Sequence, residues 1–267
     1  MQAAVKSRVA AGLLLLALAA ACGRGRGAGA GGAAGGEAEH GYLPPPELKA
    51  VAAAGAGGST LTGRGSPGAE IRLDSTRGEV ILSKADGSGD WSLTLPASAN
   101  PRLFNLSMTD EGRVVQAQGY LLLLPAGRAA RLRAGGGTEL LNGEADALRV
   151  ETLDYDSEYG AILAGRAHAG ETVSLRVDGV QRARTVADAR GRYAAALNIP
   201  LSRGLHDFDV AAAGDEAHLL LPVAAPGPLG GARFAAAATT FGWRVDWTTP
   251  GGGEQTTLII ETSEPRR

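Results

Sequence analysis

Two stretches decide the fold: Leu61–Leu73 (LTGRGSPGAEIRL) and Leu163–Leu175 (LAGRAHAGETVSL) align without a gap at an offset of 102 residues (163 − 61 = 102). The same offset aligns Ala85–Leu95 (ADGSGDWSLTL) with Ala187–Leu197 (ADARGRYAAAL). Self-similarity at a fixed spacing is the mark of a duplicated structural unit. The sequence therefore predicts two copies of one unit, each about 100 residues long.

Within each copy, hydrophobic residues alternate with polar ones, as in strands that bury one face. The alternating residues are Ile71, Leu73, Trp91, Leu93 and Leu95 in the first copy and Val173, Leu175 and Val177 in the second. Clusters such as Ser66-Pro67-Gly68 and Asp178-Gly179 separate the runs and favour chain reversals. We predict an all-β fold with two tandem antiparallel β-sandwiches, over residues 47–125 and 147–224, joined by a linker at 126–146.

The repeated pattern L-x-G-x-x-x-x-G-x-x-[VI]-x-[LV], followed by A-D-x-x-G-x-[WY]-x-x-x-L, resembles the bacterial Ig-like modules found in tandem in envelope and adhesin-type proteins. The second copy is similar to the Ig-like module that precedes peptidoglycan-binding LysM domains in many proteobacterial proteins. This resemblance implies two Ig-like sandwiches in a cell-envelope protein. Trp91 and Tyr193 occupy equivalent positions in the two copies, which favours a packing role for both.

The N-terminus reads as a secretory signal peptide over residues 1–21, with a short basic start before the apolar run Val9–Ala21. This run is shorter than the roughly 20 residues that a membrane-spanning helix needs. Its end, Leu18–Cys22 (LAAAC), resembles the bacterial lipoprotein processing box, which implies lipidation of Cys22. In Gram-negative lipoproteins an Asp after the Cys often signals inner-membrane retention. Gly23 stands there, so the resemblance favours the outer membrane with the protein facing the periplasm.

The stretch that follows Cys22 is dominated by Gly and Ala and ends in three consecutive prolines, Pro44, Pro45 and Pro46. A segment with so few groups to bury cannot offset the entropy cost of ordering its backbone. We predict a disordered, flexible tether over residues 22–46.

The C-terminal segment 231–263 predicts a β-hairpin that reverses at Pro250–Gly253. Trp243, Val245 and Trp247 share one strand face, and Arg244 and Asp246 share the other. Trp243 and Trp247, with Arg244 and Asp246, are the candidate binding surface, because aromatic rings suit sugar rings and protein contacts. The alternative is that both Trp side chains pack the hairpin onto the second sandwich and that Arg244 and Asp246 form a solvated pair.

Composition excludes several kinds of site. The chain has 267 residues with one Cys and four His, which excludes a disulfide scaffold and a multi-Cys zinc site. The balance of 26 Lys+Arg against 28 Asp+Glu excludes a broad basic surface for nucleic acid. Asp154, Asp156 and Glu158 could converge on calcium, but the Gly and Glu that an EF-hand loop requires are missing. We predict no catalytic, cofactor-binding or metal-ligating residues.

The sequence as a whole predicts a non-catalytic, lipid-anchored envelope protein that acts as a structural or protein-interaction module. Its expected partners are the membrane, through the lipid on Cys22, and an envelope protein. The alternative is a binding module for envelope glycan of the peptidoglycan type, with Trp243 and Trp247 as the contacts. A third possibility is an envelope enzyme of unknown reaction, because a triad is recognised by its geometry and not by its order in the chain.

Overall fold

The computed structural model describes residues 41–142 and 147–261. The predicted signal peptide, Cys22 and most of the predicted tether lie outside these ranges. Within them the regular structure consists of strands and two short 3-10 turns, at Gly55–Gly57 and Pro125–Gly127. None of the described helical segments is long and apolar enough to cross a bilayer. The predicted all-β fold is confirmed.

The first half of the described chain contributes ten strands. These are β1 (Glu47–Ala54), β2 (Gly58–Arg64), β3 (Glu70–Ser75), β4 (Val80–Lys84), β5 (Asp90–Leu95), β6 (Arg102–Asp110), β7 (Arg113–Gln116), β8 (Tyr120–Leu123), β9 (Ala129–Leu132) and β10 (Glu139–Leu140). Sheet 1 has the order β1-β2-β5. Sheet 2 has the order β10-β9-β8-β6-β3-β4, and β7 also pairs with β6.

The second half contributes ten more strands. These are β11 (Arg149–Asp156), β12 (Ala161–Arg166), β13 (Thr172–Val177), β14 (Val180–Val186), β15 (Arg192–Ala196), β16 (Gly204–Ala212), β17 (Asp215–Val223), β18 (Phe234–Thr239), β19 (Gly242–Thr248) and β20 (Glu254–Ile260). Sheet 3 has the order β15-β12-β11-β20-β19-β18, and sheet 4 the order β14-β13-β16-β17. All pairings between these strands are antiparallel.

The duplication seen in the sequence is a duplication of strands. The offset of 102 residues maps both ends of β1 onto those of β11, and both ends of β6 onto those of β16. In each copy the first, second and fifth strands form one sheet, and the third, fourth and sixth strands lie in the other. Two tandem Ig-like sandwiches are therefore present, as predicted.

Each sandwich has its own apolar core, in which Trp91 and Tyr193 take equivalent places. Their side chains lie over Gly63 and Gly165, the glycines of the repeated L-x-G motif. A Cβ at Gly63 would overlap the Trp91 ring and the Glu47 carbonyl oxygen. A Cβ at Gly165 would overlap the Tyr193 hydroxyl and a neighbouring backbone carbonyl in the same way. The motif thus makes room for one large ring in each core.

A third apolar core joins the two sandwiches, and the linker prediction for 126–146 has to be corrected there. Two strands, β9 and β10, extend sheet 2 through this segment. The strands β18–β20 extend sheet 3, because β20 pairs with β11. The outer faces of the two extended sheets pack on each other through Leu103, Leu122, Leu124, Ala130, Leu132, Leu140, Val245, Trp247 and Ile259. The run Leu121–Leu124 is apolar throughout because β8 lies between two cores.

Candidate functional site

The C-terminal strand β19 does not present its two Trp side chains as an open surface. Trp243, Val245 and Trp247 do share a face, but that face packs against the first sandwich in the third core. Trp247 is completely buried. Its ring meets the edge of Tyr120 with 5.9 Å between centroids. Its indole N–H donates to Thr257 Oγ1 at 3.1 Å.

The predicted binding surface is therefore wrong for Trp247, and Trp243 is only partly exposed. The predicted hairpin is a three-stranded meander, because β18 also pairs with β19. The meander is not a free appendage: it is hydrogen-bonded into sheet 3 of the second sandwich and covered by sheet 2 of the first. The packing alternative considered from the sequence named the second sandwich as the support. The structure shows that the Trp face contacts the first sandwich instead.

Arg244 and Asp246 lie on the opposite face of β19 and are not a solvated pair. Asp246 is 7% exposed, and the Arg244 guanidinium donates to both of its carboxylate oxygens at 3.0–3.2 Å. Asp246 also accepts from Thr256 Oγ1 at 2.6 Å, and Arg244 donates to the Ala225 carbonyl at 2.7 Å. Burial lowers the pKa of Arg244, but its bonds to Asp246 outweigh this and raise it. The pair fastens the segment before β18 to the sheet.

A buried carboxylate, Asp154, links the two extended sheets beside the third core. It is 2% exposed and accepts hydrogen bonds from Thr138 N at 2.6 Å and Thr138 Oγ1 at 2.7 Å. It also accepts from Thr257 Oγ1 at 2.5 Å and Gln255 Nε2 at 3.2 Å. Burial raises the pKa of Asp154, and these bonds only partly oppose the increase. The calcium alternative fails, because Asp154 is directed to the junction while Asp156 caps a turn.

Charged side chains next to Asp154 also tie the sandwiches together. Glu139 on β10 pairs with Arg192 of the second sandwich and lies 3.4 Å from Arg131 of β9. Arg166 bonds Glu151 at 2.8 Å and the Leu140 carbonyl at 2.9 Å. Burial raises the pKa of Glu151, although Arg166 counteracts it. Breaking a buried pair by removing one partner is costly, so these groups fix the junction.

The one group of metal-type ligands found among the described residues is Asp207, Asp209 and His218 on the outer face of sheet 4. Their ligand atoms lie within 4.8 Å of one another. Asp207 and Asp209 alternate along β16, and His218 lies opposite Asp209 on β17. His218 Nδ1 already contacts both carboxylates, at 3.1 and 2.9 Å, and all three side chains are about half exposed. The set has the donor chemistry for a divalent cation, but it is equally a satisfied surface ion group.

Sequence reasoning missed these polar groups for a common reason. Asp154 and Thr257 are far apart in the chain and meet only because β20 pairs with β11. His218 meets Asp209 only across the β16–β17 pairing. The local pattern around each residue is that of an ordinary half-buried strand. Cys22, the predicted lipidation site, lies outside the described residues.

The strand topology defines the class of protein: an all-β chain of two tandem Ig-like sandwiches that share a third core. No family model matches the chain, and no curated protein matches it. Among solved structures it is similar to the BSP domain of a biofilm associated protein, with a TM-score of 0.23 and 10% identity over 70% of this chain and 30% of that one. It is also similar to the central fibronectin-III array of RIM-binding protein, with a TM-score of 0.27 and 13% identity over 82% and 89% of the two chains. Such likenesses concern the fold alone.

Proposed function

We propose that this protein is a non-catalytic, lipid-anchored component of the bacterial cell envelope that serves as a structural or protein-interaction module. The observation that carries the proposal is the apolar run that ends at the chain's only Cys, Cys22, followed about 25 residues later by a folded body that begins with β1. The body suits this role because the third core holds both sandwiches in one unit.

The anchor follows from the energetics of acyl chains in a bilayer. Each buried CH₂ contributes about 0.8 kcal/mol, and two or more chains give stable attachment where one is marginal. With Gly23 after Cys22, we propose the periplasmic face of the outer membrane as the location. A Gly- and Ala-rich tether of this length would have an r.m.s. reach of roughly 25–30 Å.

The anchor is tested by mass spectrometry of the mature N-terminus and by membrane fractionation. We expect acyl chains on Cys22, and we expect Cys22→Ala to leave the membrane fraction. Gly23→Asp is the matched control: it should remain acylated but shift to the inner membrane. An unmodified N-terminus, or a Cys22→Ala protein that remains in the membrane fraction, would contradict the proposal.

The interaction role is tested by crosslinking intact envelopes and identifying what co-purifies with the chain. We expect a protein partner to co-purify with the crosslinked chain, and to be absent from a sample without crosslinker that contains the same amount of the chain. Peptidoglycan sedimentation covers the glycan alternative, using Trp243→Ala because Trp243 is the more accessible ring of the Trp pair. Pelleting that is strong in the wild type and lost in Trp243→Ala, with no crosslinked protein, would overturn the interaction role in favour of glycan binding.

A further inference from the structure

An open cavity of about 300 Å³ enters the first sandwich between β1 and the break that separates β7 from β8. Its apolar walls include Pro46, Leu48, Leu106 and Leu121. This volume is at the lower end of the roughly 300–1,000 Å³ that small-molecule sites occupy. The cavity borders the third core, because Tyr120 lines it and also packs on Trp247.

In the second sandwich, the place equivalent to the cavity is filled by the side chains of Phe208 and Leu219. There the edge strand of sheet 4, β17, pairs with β16 without interruption over nine residue pairs. Phe208 on β16 is fully buried there, and Leu219 opposite it is 9% exposed. Both side chains belong to the core of the second sandwich. The register of the β16–β17 pairing does not shift at this point.

The first sandwich differs at the same three features. Leu106 stands where the other copy has Phe208, and Ala117 stands where it has Leu219. The register of pairing with β6 shifts by two residues between β7 and β8, as Ser107 pairs with Gln116 but Phe104 pairs with Leu121. Two smaller side chains and the bulge together leave the space that the cavity occupies. The larger pair Phe208 and Leu219 takes the equivalent place in the second sandwich, so the opening is a difference between the two copies and not a requirement of the fold.

The polar lining indicates the head group of an occupant. Arg131 is the cation among the cavity-lining residues, and its guanidinium donates to the Leu48 carbonyl at 2.8 Å. That bond and a 3.4 Å contact with Glu139 leave further N–H groups on the planar fork. The lining carboxylate, Glu47, is already paired with Lys49 at 2.9 Å. A guanidinium at the edge of an apolar cavity favours a carboxylate.

We propose that this cavity is a binding site for a small monocarboxylate amphiphile, whose apolar chain lies between Leu48, Leu106 and Leu121 and whose carboxylate is bound by Arg131. The chemical class is that of a medium-chain fatty acid. The site is independent of the lipid on Cys22 and of any partner of the protein.

The test uses the full chain with Cys22→Ala, which keeps acyl groups out of the sample, and sodium octanoate as the probe. Binding is followed by calorimetry and by methyl NMR shifts of Leu48, Leu106 and Leu121. We expect octanoate to bind at least about tenfold more tightly than octan-1-ol, because only the carboxylate pairs with Arg131. Equal affinity for the two probes, or no binding of octanoate at millimolar concentration, would overturn the proposal.

A variant that fills the cavity can be designed from the equivalent residues of the second sandwich, and we call it the filling variant. Leu106→Phe combined with Ala117→Leu installs the residues that the second sandwich carries, so we expect it to fold, to melt at a higher temperature and to lose octanoate binding. Leu220→Ala removes an exposed Leu from the second sandwich and should bind like wild type. Arg131→Lys should retain most of the octanoate preference and Arg131→Gln should lose it. Undiminished octanoate binding by a folded filling variant would refute the site.

Discussion

His206 on β16 illustrates how a single side chain can make stability depend on pH. Its ring lies between two acceptors: Nδ1 is 2.7 Å from Asp178 Oδ2 and Nε2 is 2.8 Å from the Ser202 carbonyl. A neutral imidazole can donate only one proton, whereas the charged form donates to both. Burial lowers the pKa of His206, but the bonds to Asp178 and Ser202 outweigh it and raise the pKa above 6.5.

Because the folded-state pKa of His206 is raised, its stabilising contribution is complete below the unfolded pKa and is lost as pH rises through the folded one. We expect the free energy of unfolding of wild type to exceed that of His206→Gln by about 1 kcal/mol in mild acid, and by less at alkaline pH. Urea titrations at a series of pH values measure this difference. Asp178→Asn should flatten the profile, and a gap that widens with rising pH would contradict the assignment.

At the scale of elements, the carboxylate of Asp154 holds the segment before β10 against β11 and β20. Asp154→Ala would leave the Thr138 N–H and the Gln255 amide without their acceptor in a buried site. Each unsatisfied buried donor costs about 1–3 kcal/mol, so we expect the two donors to lower the free energy of unfolding by about 2–6 kcal/mol. Chemical denaturation measures the change, with Asp209→Ala on the outer face of sheet 4 as the control. Equal effects of the two variants would show that the network does not stabilise the junction.

The strands themselves could be predicted from the sequence because they repeat. The alternation in Ile71–Leu73 and Val173–Val177 and the turn residues between the runs are local signals, and the offset of 102 residues doubles each of them. The partner of each added strand could not be predicted. Whether a segment such as Ala129–Leu132 is a linker or a strand depends on what pairs with it and covers it. Here the cover comes from β19 and β20, more than 110 residues later in the chain.

The candidate site was predicted only in part for the same reason. The alternation that puts Trp243 and Trp247 on one face is correct, since it depends only on the period of a strand. Whether that face is exposed to solvent depends on the position of sheet 2, and no sequence pattern within β19 predicts that position. The sequence left both an exposed and a packed Trp face open, and the third core shows that the face is packed.

At the scale of the whole molecule, the third core should couple the unfolding of the two sandwiches. We expect wild type to unfold in a single calorimetric transition and Trp247→Ala to lose about 3–5 kcal/mol and show two. Leu61→Ala is the matched control, because Leu61 is fully buried in the first sandwich but absent from the third core. Two transitions in wild type, or one transition in both variants, would show that the sandwiches unfold independently of this contact.

The pairing of β20 with β11 also sets the order in which the two sandwiches can be completed while the chain is being synthesised. Leu258 and Ile260 belong to the core of the second sandwich, about 110 residues after Val150 of β11 in that core. All strands of the first sandwich have been synthesised once the chain reaches Leu140. The second sandwich is complete only after β20, which ends at Ile260. Until the C-terminal strands have been synthesised, Leu122, Leu124 and Leu132 have no cover, so the incomplete chain exposes an apolar surface that favours aggregation.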